Sequence, residues 1–186
     1  MMAGALGYRV PPTGWKPAGW TPPPAQTSNA MITQRHVHVK KVWGIPQFWL
    51  VWLVLCMNVS AGIGVIGISS PMLQEVFGGA LIDLPAKFGE LDKTQLAAIA
   101  VVAGGFTALL SLFNIGGRFV WASLSDKLGR KLTYTVFFVL GAVLYASIPS
   151  SAGAGSKLLF VGACCIIVSM YGGGFSTAVS YTHLTL

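Results

Sequence analysis

The residues with the most chemistry in them lie between Asn114 and Lys131: Asn114-Ile-Gly-Gly-Arg-Phe-Val-Trp-Ala-Ser-Leu-Ser-Asp-Lys-Leu-Gly-Arg-Lys131. One carboxylate, Asp126, stands among four cations, Arg118, Lys127, Arg130 and Lys131. A carboxylate in that setting accepts charge-assisted hydrogen bonds from an arginine or from a neighbouring helix N-terminus. Gly129 permits a sharp turn beside it. Such a latch can close in one conformation and open in another, which is the chemistry of a gate. The amides Asn58 and Asn114 are the other informative groups, because each sits in a long apolar run. An unpaired amide in hydrocarbon costs several kcal/mol, on the order of 4–8, so each must find a partner, either a ligand or a neighbouring helix.

Catalytic patterns are not found. The sequence holds no nucleophile–base arrangement, no phosphate loop and no cluster of metal ligands, so the reading is of a protein that is not an enzyme and takes no cofactor and no metal. Gly62-Ile-Gly-Val-Ile-Gly67 has the spacing of a dinucleotide fingerprint. No strand or βαβ unit can surround it, and close helix packing or a hinge explains its small residues instead. Cys56, Cys164 and Cys165 all lie inside apolar runs and lack metal-ligand spacing, so they read as small buried hydrophobes.

The elements that must position these groups are long and apolar. Of 186 residues, 54% are hydrophobic and 9% are charged, and the mean hydropathy is +0.69. A soluble domain carries about 25% charge. Asp, Glu, Lys and Arg are absent from 42–74, 94–117, 132–156 and 158–186. Each stretch exceeds the roughly 20 residues that cross a ~30 Å hydrocarbon core as helix. Strands in lipid must close into a barrel and alternate in polarity, and Phe48-Trp-Leu-Val-Trp-Leu-Val-Leu55 does not alternate. The expected fold is therefore an all-α membrane protein with four transmembrane helices, near 48–69, 95–116, 133–150 and 158–178. Trp43, Trp49 and Trp52 suit an interfacial aromatic belt at the start of the first.

Residues 1–46 differ. The stretch Tyr8 to Pro24 is rich in Pro, Gly and Trp and reads as extended, solvated chain. Nine basic residues lie in the N-terminal segment and the loop around Asp126, against three on the opposite side. The positive-inside rule puts both in the cytoplasm; the expected location is a multi-pass protein of the plasma (inner) membrane. The net charge of +7 thus serves topology. The basic N-terminal segment, with dispersed charges and many prolines, is not read as a nucleic-acid contact.

The loop pattern resembles the cytoplasmic signature of the major facilitator superfamily, G-x-x-x-D-[RK]-x-G-[RK]-[RK]. Asp126, Lys127, Gly129, Arg130 and Lys131 match, and Ala122 stands where the family has glycine. The resemblance narrows to the oxalate:formate antiporter family. Pro11-Pro-Thr-Gly-Trp-Lys-Pro-Ala-Gly-Trp-Thr-Pro22 is similar to that family's central cytoplasmic loop. Asn58-Val-Ser-Ala-Gly-Ile-Gly-Val-Ile-Gly67 is similar to its seventh span, and Ser70-Pro-Met-Leu-Gln-Glu75 to the loop after it.

The resemblance implies spans seven to ten of a twelve-helix carrier of small organic anions working by alternating access. Residues 1–46 would be its central loop and 47–178 its membrane helices. The N-terminal half of the same carrier, the lipid bilayer and the anion would be its partners. Residues 179–186 depart from the family pattern and resemble a translated adaptor, so a non-native tail is expected there, which makes His183 a poor ligand. The gate would be Arg118, Asp126, Lys127, Gly129, Arg130 and Lys131. The substrate cavity would draw on Asn58, Ser60, Thr107, Ser111, Asn114 and Tyr171. Oxalate carriers are expected to place a cation in the eighth span; the run 94–117 has none, so formate, lactate or pyruvate fits at least as well as oxalate. The rival from another class is a four-span membrane scaffold or accessory subunit without transport.

Overall fold

A computed structural model describes residues 15, 16, 18, 19 and 38–182, with side chains left out at 39 and from 179 on. The chain divides by contacts into Met1–Ile32 and Thr33–Leu186. In the first unit the described residues include a turn at Ala18–Gly19, where Gly19 takes φ +76°. Most of the expected central loop, and 183–186 of the expected tail, lie outside the described residues.

The second unit is helical. After a short turn, Val39–Val42, come four long helices: α1 Pro46–Phe77, α2 Lys93–Leu128, α3 Arg130–Gly153 and α4 Lys157–Thr182. All four are long and apolar enough to cross a membrane. Local signals start them. Pro46 occupies the first helical position of α1, where its missing N–H costs nothing. Asp92 and Gln95 form a capping box on α2, with Asp92 Oδ1 accepting from Lys93 N at 2.7 Å and Gln95 Oε1 from Asp92 N at 2.9 Å.

Three boundaries differ from the sequence expectation. Ser70–Glu75, expected as loop, is the end of α1, which continues through Pro71. Prolines are tolerated in membrane helices because neighbouring groups satisfy the freed carbonyl. The signature expected in a loop is mostly helix: α2 runs to Leu128, and the whole connection to α3 is Gly129, at φ +85°. Charged residues end an apolar run without ending a helix; only the left-handed glycine does that. α4 also passes the expected break and runs to Thr182.

The bundle is built around α4. In its most apolar stretch 56% of residues are buried inside the protein, against 17–22% for the other three helices. At one end Phe160 of α4 meets Phe77 of α1 edge-on, with centroids 5.5 Å apart, and lies beside Phe106 of α2. Towards the other, Trp121 of α2 and Tyr134 of α3 meet Phe137 at 4.9 and 5.6 Å. The outward faces of α1 to α3 carry Ile63, Val101, Leu112, Phe119 and Val139, all exposed, an apolar surface suited to hydrocarbon.

Glycines let α4 come this close. A methyl on Gly117 of α2 would strike the Ser169 carbonyl. Gly172, Gly173 and Gly174 are consecutive and therefore point in different directions. They seat the Asn114 backbone, the Trp121 ring and the Asn58 amide respectively. Gly62 of α1 seats the ring of Tyr171. Close packing is thus what these glycines do.

Interhelical hydrogen bonds fasten the same contacts. Trp121 Nε1 donates to Ser169 Oγ at 3.2 Å, and Tyr134 OH donates to the Gly174 carbonyl at 2.8 Å. Tyr145 OH donates to the Ala61 carbonyl at 2.7 Å. Replacing Tyr134 with Phe is expected to lower stability by about 1 kcal/mol. Steric trapping or denaturant titration in bicelles measures it, and no change would mean that the ring packing alone holds α3 to α4.

Candidate gate and anion cleft

The signature residues form a clamp across the α2–α3 junction. Arg130 opens α3 with its side chain only 10% exposed, and its Nη2 lies 2.6 Å from Asp126 Oδ1. Its Nη1 donates to Ser125 Oγ, and Ser125 is fully buried. Gly129 between them turns the chain so that residue 130 reaches back over residues 125 and 126. This is the one ion pair among the described residues.

Asp126 is 64% exposed, so its charge stays hydrated while the guanidinium is nearly buried. The pair therefore joins a solvated carboxylate to a nearly buried guanidinium, and its loss would fall mainly on the arginine side. Lys127 is exposed in the last turn of α2, where a cation complements the helix dipole, and Lys131 is exposed at the start of α3. Arg118 lies more than two turns before the clamp; its carbonyl accepts from Ser176 Oγ at 3.1 Å. Sequence reading missed Ser125, although its place beside Asp126 and five residues before Arg130 is a local signal.

The six cavity candidates separate. Asn58 of α1 and Tyr171 of α4 line one cleft of about 350 Å³ between α1, α3 and α4, together with Tyr145 and Met170. Asn58 is 9% exposed, and its Nδ2 is buried with no hydrogen-bond partner. Ser60 lines the neighbouring cleft, which also holds Ser69, whose buried hydroxyl is likewise unpartnered.

Asn114 lies elsewhere, at the α2–α4 crossing against Gly172. Thr107 and Ser111 are exposed on α2 and bond back to carbonyls of their own helix, Ala103 and Thr107, each at 3.0 Å. Both stand one residue beyond buried Phe106 and Leu110, hence about 100° around the helix from the face that meets α4.

The sequence model of the Major Facilitator Superfamily matches residues 1–186. The oxalate:formate antiporter of Oxalobacter formigenes is 27% identical over 146 residues, which cover 78% of this chain and 30% of that protein. The chain thus spans less than a third of the length of the curated relative it matches. No solved structure matches it.

Proposed function

The chain belongs to the major facilitator superfamily, and from that premise we propose that it forms spans seven to ten of a secondary active carrier of small organic anions. It is an integral multi-pass membrane protein with four candidate spans. In our reading residues 1–46 are the central loop, 47–178 the membrane helices and 179–186 a non-native tail. The N-terminal half of the same carrier completes the cavity. The N-terminal segment and the Asp126 clamp face the cytoplasm of the plasma (inner) membrane. Transport is alternating access, with two halves rocking about a midplane site.

The relative is named for oxalate, formate and their antiport, and we extend the class here to small carboxylates of the formate, oxalate or lactate type. The observation that carries the reading onto this chain is Asn58, which lines the cleft with Tyr171 while its amide Nδ2, packed against Gly174, is buried without a hydrogen-bond partner. A carboxylate oxygen is the acceptor such a donor lacks. A monocarboxylate such as formate, lactate or pyruvate fits at least as well as oxalate, since the run 94–117 holds no cation and the first in α2 after it is Arg118.

Uptake of labelled formate, lactate and oxalate into proteoliposomes holding the complete carrier tests this. Wild type is expected to show saturable uptake of one anion. In Asn58→Leu the KM for it should rise roughly tenfold or more, the worth of a hydrogen bond to a charged group. Asn58→Gln should retain part of the affinity. Flux of none of the three anions by folded protein, or an unchanged KM in Asn58→Leu, would sink the reading.

A further inference from the structure

A third cleft, of about 280 Å³, opens between the start of α1 and the first turns of α3. Leu50, Val51 and Val54 form one wall and Phe138 the other, and Leu50 and Phe138 are 62% and 44% exposed. Lys131 and Thr135 stand at its rim. The same two residues also line a depression at the N-terminus of α3, with Gly129 and Leu132. Arg130 is engaged by Asp126 and Ser125, whereas Lys131 has no ion-pair partner among the described residues. The α3 N-terminus has no side-chain cap.

Charge at this end is one-sided. Lys40 and Lys41 precede α1, and Lys127 and Lys131 flank the junction, while Asp126 is the one carboxylate there and is already paired. The other four acidic residues, Glu75, Asp83, Glu90 and Asp92, lie near or beyond the far ends of α1 and α2.

We propose that this cleft is a binding site for an anionic phospholipid, with the phosphate on Lys131 and an acyl chain along Leu50, Val54 and Phe138. The charge complementarity selects the occupant. An apolar helix of another subunit would leave the Lys131 ammonium unpaired beside hydrocarbon, and a zwitterionic lipid would bring a second cation into a field already basic. The phosphate also meets the uncapped N-terminus of α3, where anions are favoured. Such a lipid bridges α1 to α3 next to the Gly129 junction, so its occupancy couples membrane composition to the clamp. This site is separate from the Asn58 cleft, and it stands or falls independently of the transported anion.

Native mass spectrometry of the 186-residue chain in mild detergent tests it, after exchange into micelles doped equally with phosphatidylglycerol and phosphatidylcholine. Phosphatidylglycerol is expected to be retained at least fivefold over phosphatidylcholine. Lys131→Gln should bring the two to parity, and Val54→Trp should expel the lipid without changing charge. Lys93→Gln, at the opposite end, should leave retention unchanged, and millimolar glycerol phosphate should not displace the lipid. Circular dichroism checks that helicity is kept, and because Lys131 is exposed its variant remains informative if Val54→Trp misfolds. Equal retention of the two lipids, no effect of Lys131→Gln, an equal loss in Lys93→Gln, or a second copy of the chain in place of lipid would each overturn the proposal.

Discussion

Alanine at Gly117 is expected to weaken the bundle, whereas alanine at Gly116, one residue earlier, leaves it as stable or strengthens it. Gly117 is buried, and its missing methyl would fall on the carbonyl of Ser169. That obstacle is backbone of α4, so it can give way only if the whole helix moves. Overpacking of this kind costs about 1–3 kcal/mol, and valine should cost more. Gly116 is exposed, with nothing within 4 Å of a built Cβ. There alanine only removes the glycine penalty in a helix, roughly 1 kcal/mol.

Gly172→Ala should repeat the loss from the other side, against the Asn114 carbonyl. Because both substitutions push the same two helices apart, the double variant should lose less than the sum of the two. Denaturant titration or thermal unfolding in detergent reads all five variants against wild type. Like behaviour of Gly116→Ala and Gly117→Ala would show that the α2–α4 crossing is looser than described.

Asp126→Asn is the second large effect, and it should appear in rate. In the complete carrier we expect maximal exchange to fall roughly tenfold or more, about 1.4 kcal/mol on the barrier, with KM changed by less than about twofold. Asparagine preserves size but cannot draw the guanidinium across the Gly129 junction as a carboxylate does. Arg130, only 10% exposed, is left with Ser125 and an unpartnered Nε. On the proposed alternating-access reading, the junction then loses the contact that defines one of its two states. Stability should fall by less than about 1 kcal/mol, since Asp126 is 64% exposed and its pairing is screened by solvent. Arg130→Lys should fall between, keeping the charge but losing the fork that serves Asp126 and Ser125 together. Counterflow kinetics separate rate from affinity, and a wild-type rate in Asp126→Asn would remove the clamp from the mechanism.

The clamp and the cleft were unequally legible. Its ion pair lies within five residues of chain, so Asp126, Gly129 and Arg130 could be picked out from spacing alone. What spacing hid was the state of the backbone: a stretch expected as loop is helix up to Leu128, and one glycine makes the entire turn. The lysines expected to share the gate are exposed beside it, and Lys131 faces the α1–α3 cleft. The cavity residues depended on helix rotation. Asn58 and Tyr171 meet in one cleft, Asn114 is spent on a helix crossing, and Thr107 and Ser111 turn back on their own helix.

The number and class of the helices, and the basic asymmetry of their ends, were determined by sequence alone. The physical reason is that lipid offers no partner to a backbone N–H, so a long uncharged run has one local answer, and that answer needs no neighbours. Which face of each helix turns inward was decided only by tertiary structure. In water a polar stripe marks the outside of a helix; in a bilayer both faces are apolar, and the stripe disappears. The choice then passes to steric fit and a few hydrogen bonds between distant residues. α4 became the centre because Gly172, Gly173 and Gly174 admit the backbone of α2, the ring of Trp121 and the amide of Asn58 at one crossing, a coincidence of three surfaces that one-dimensional hydropathy does not encode.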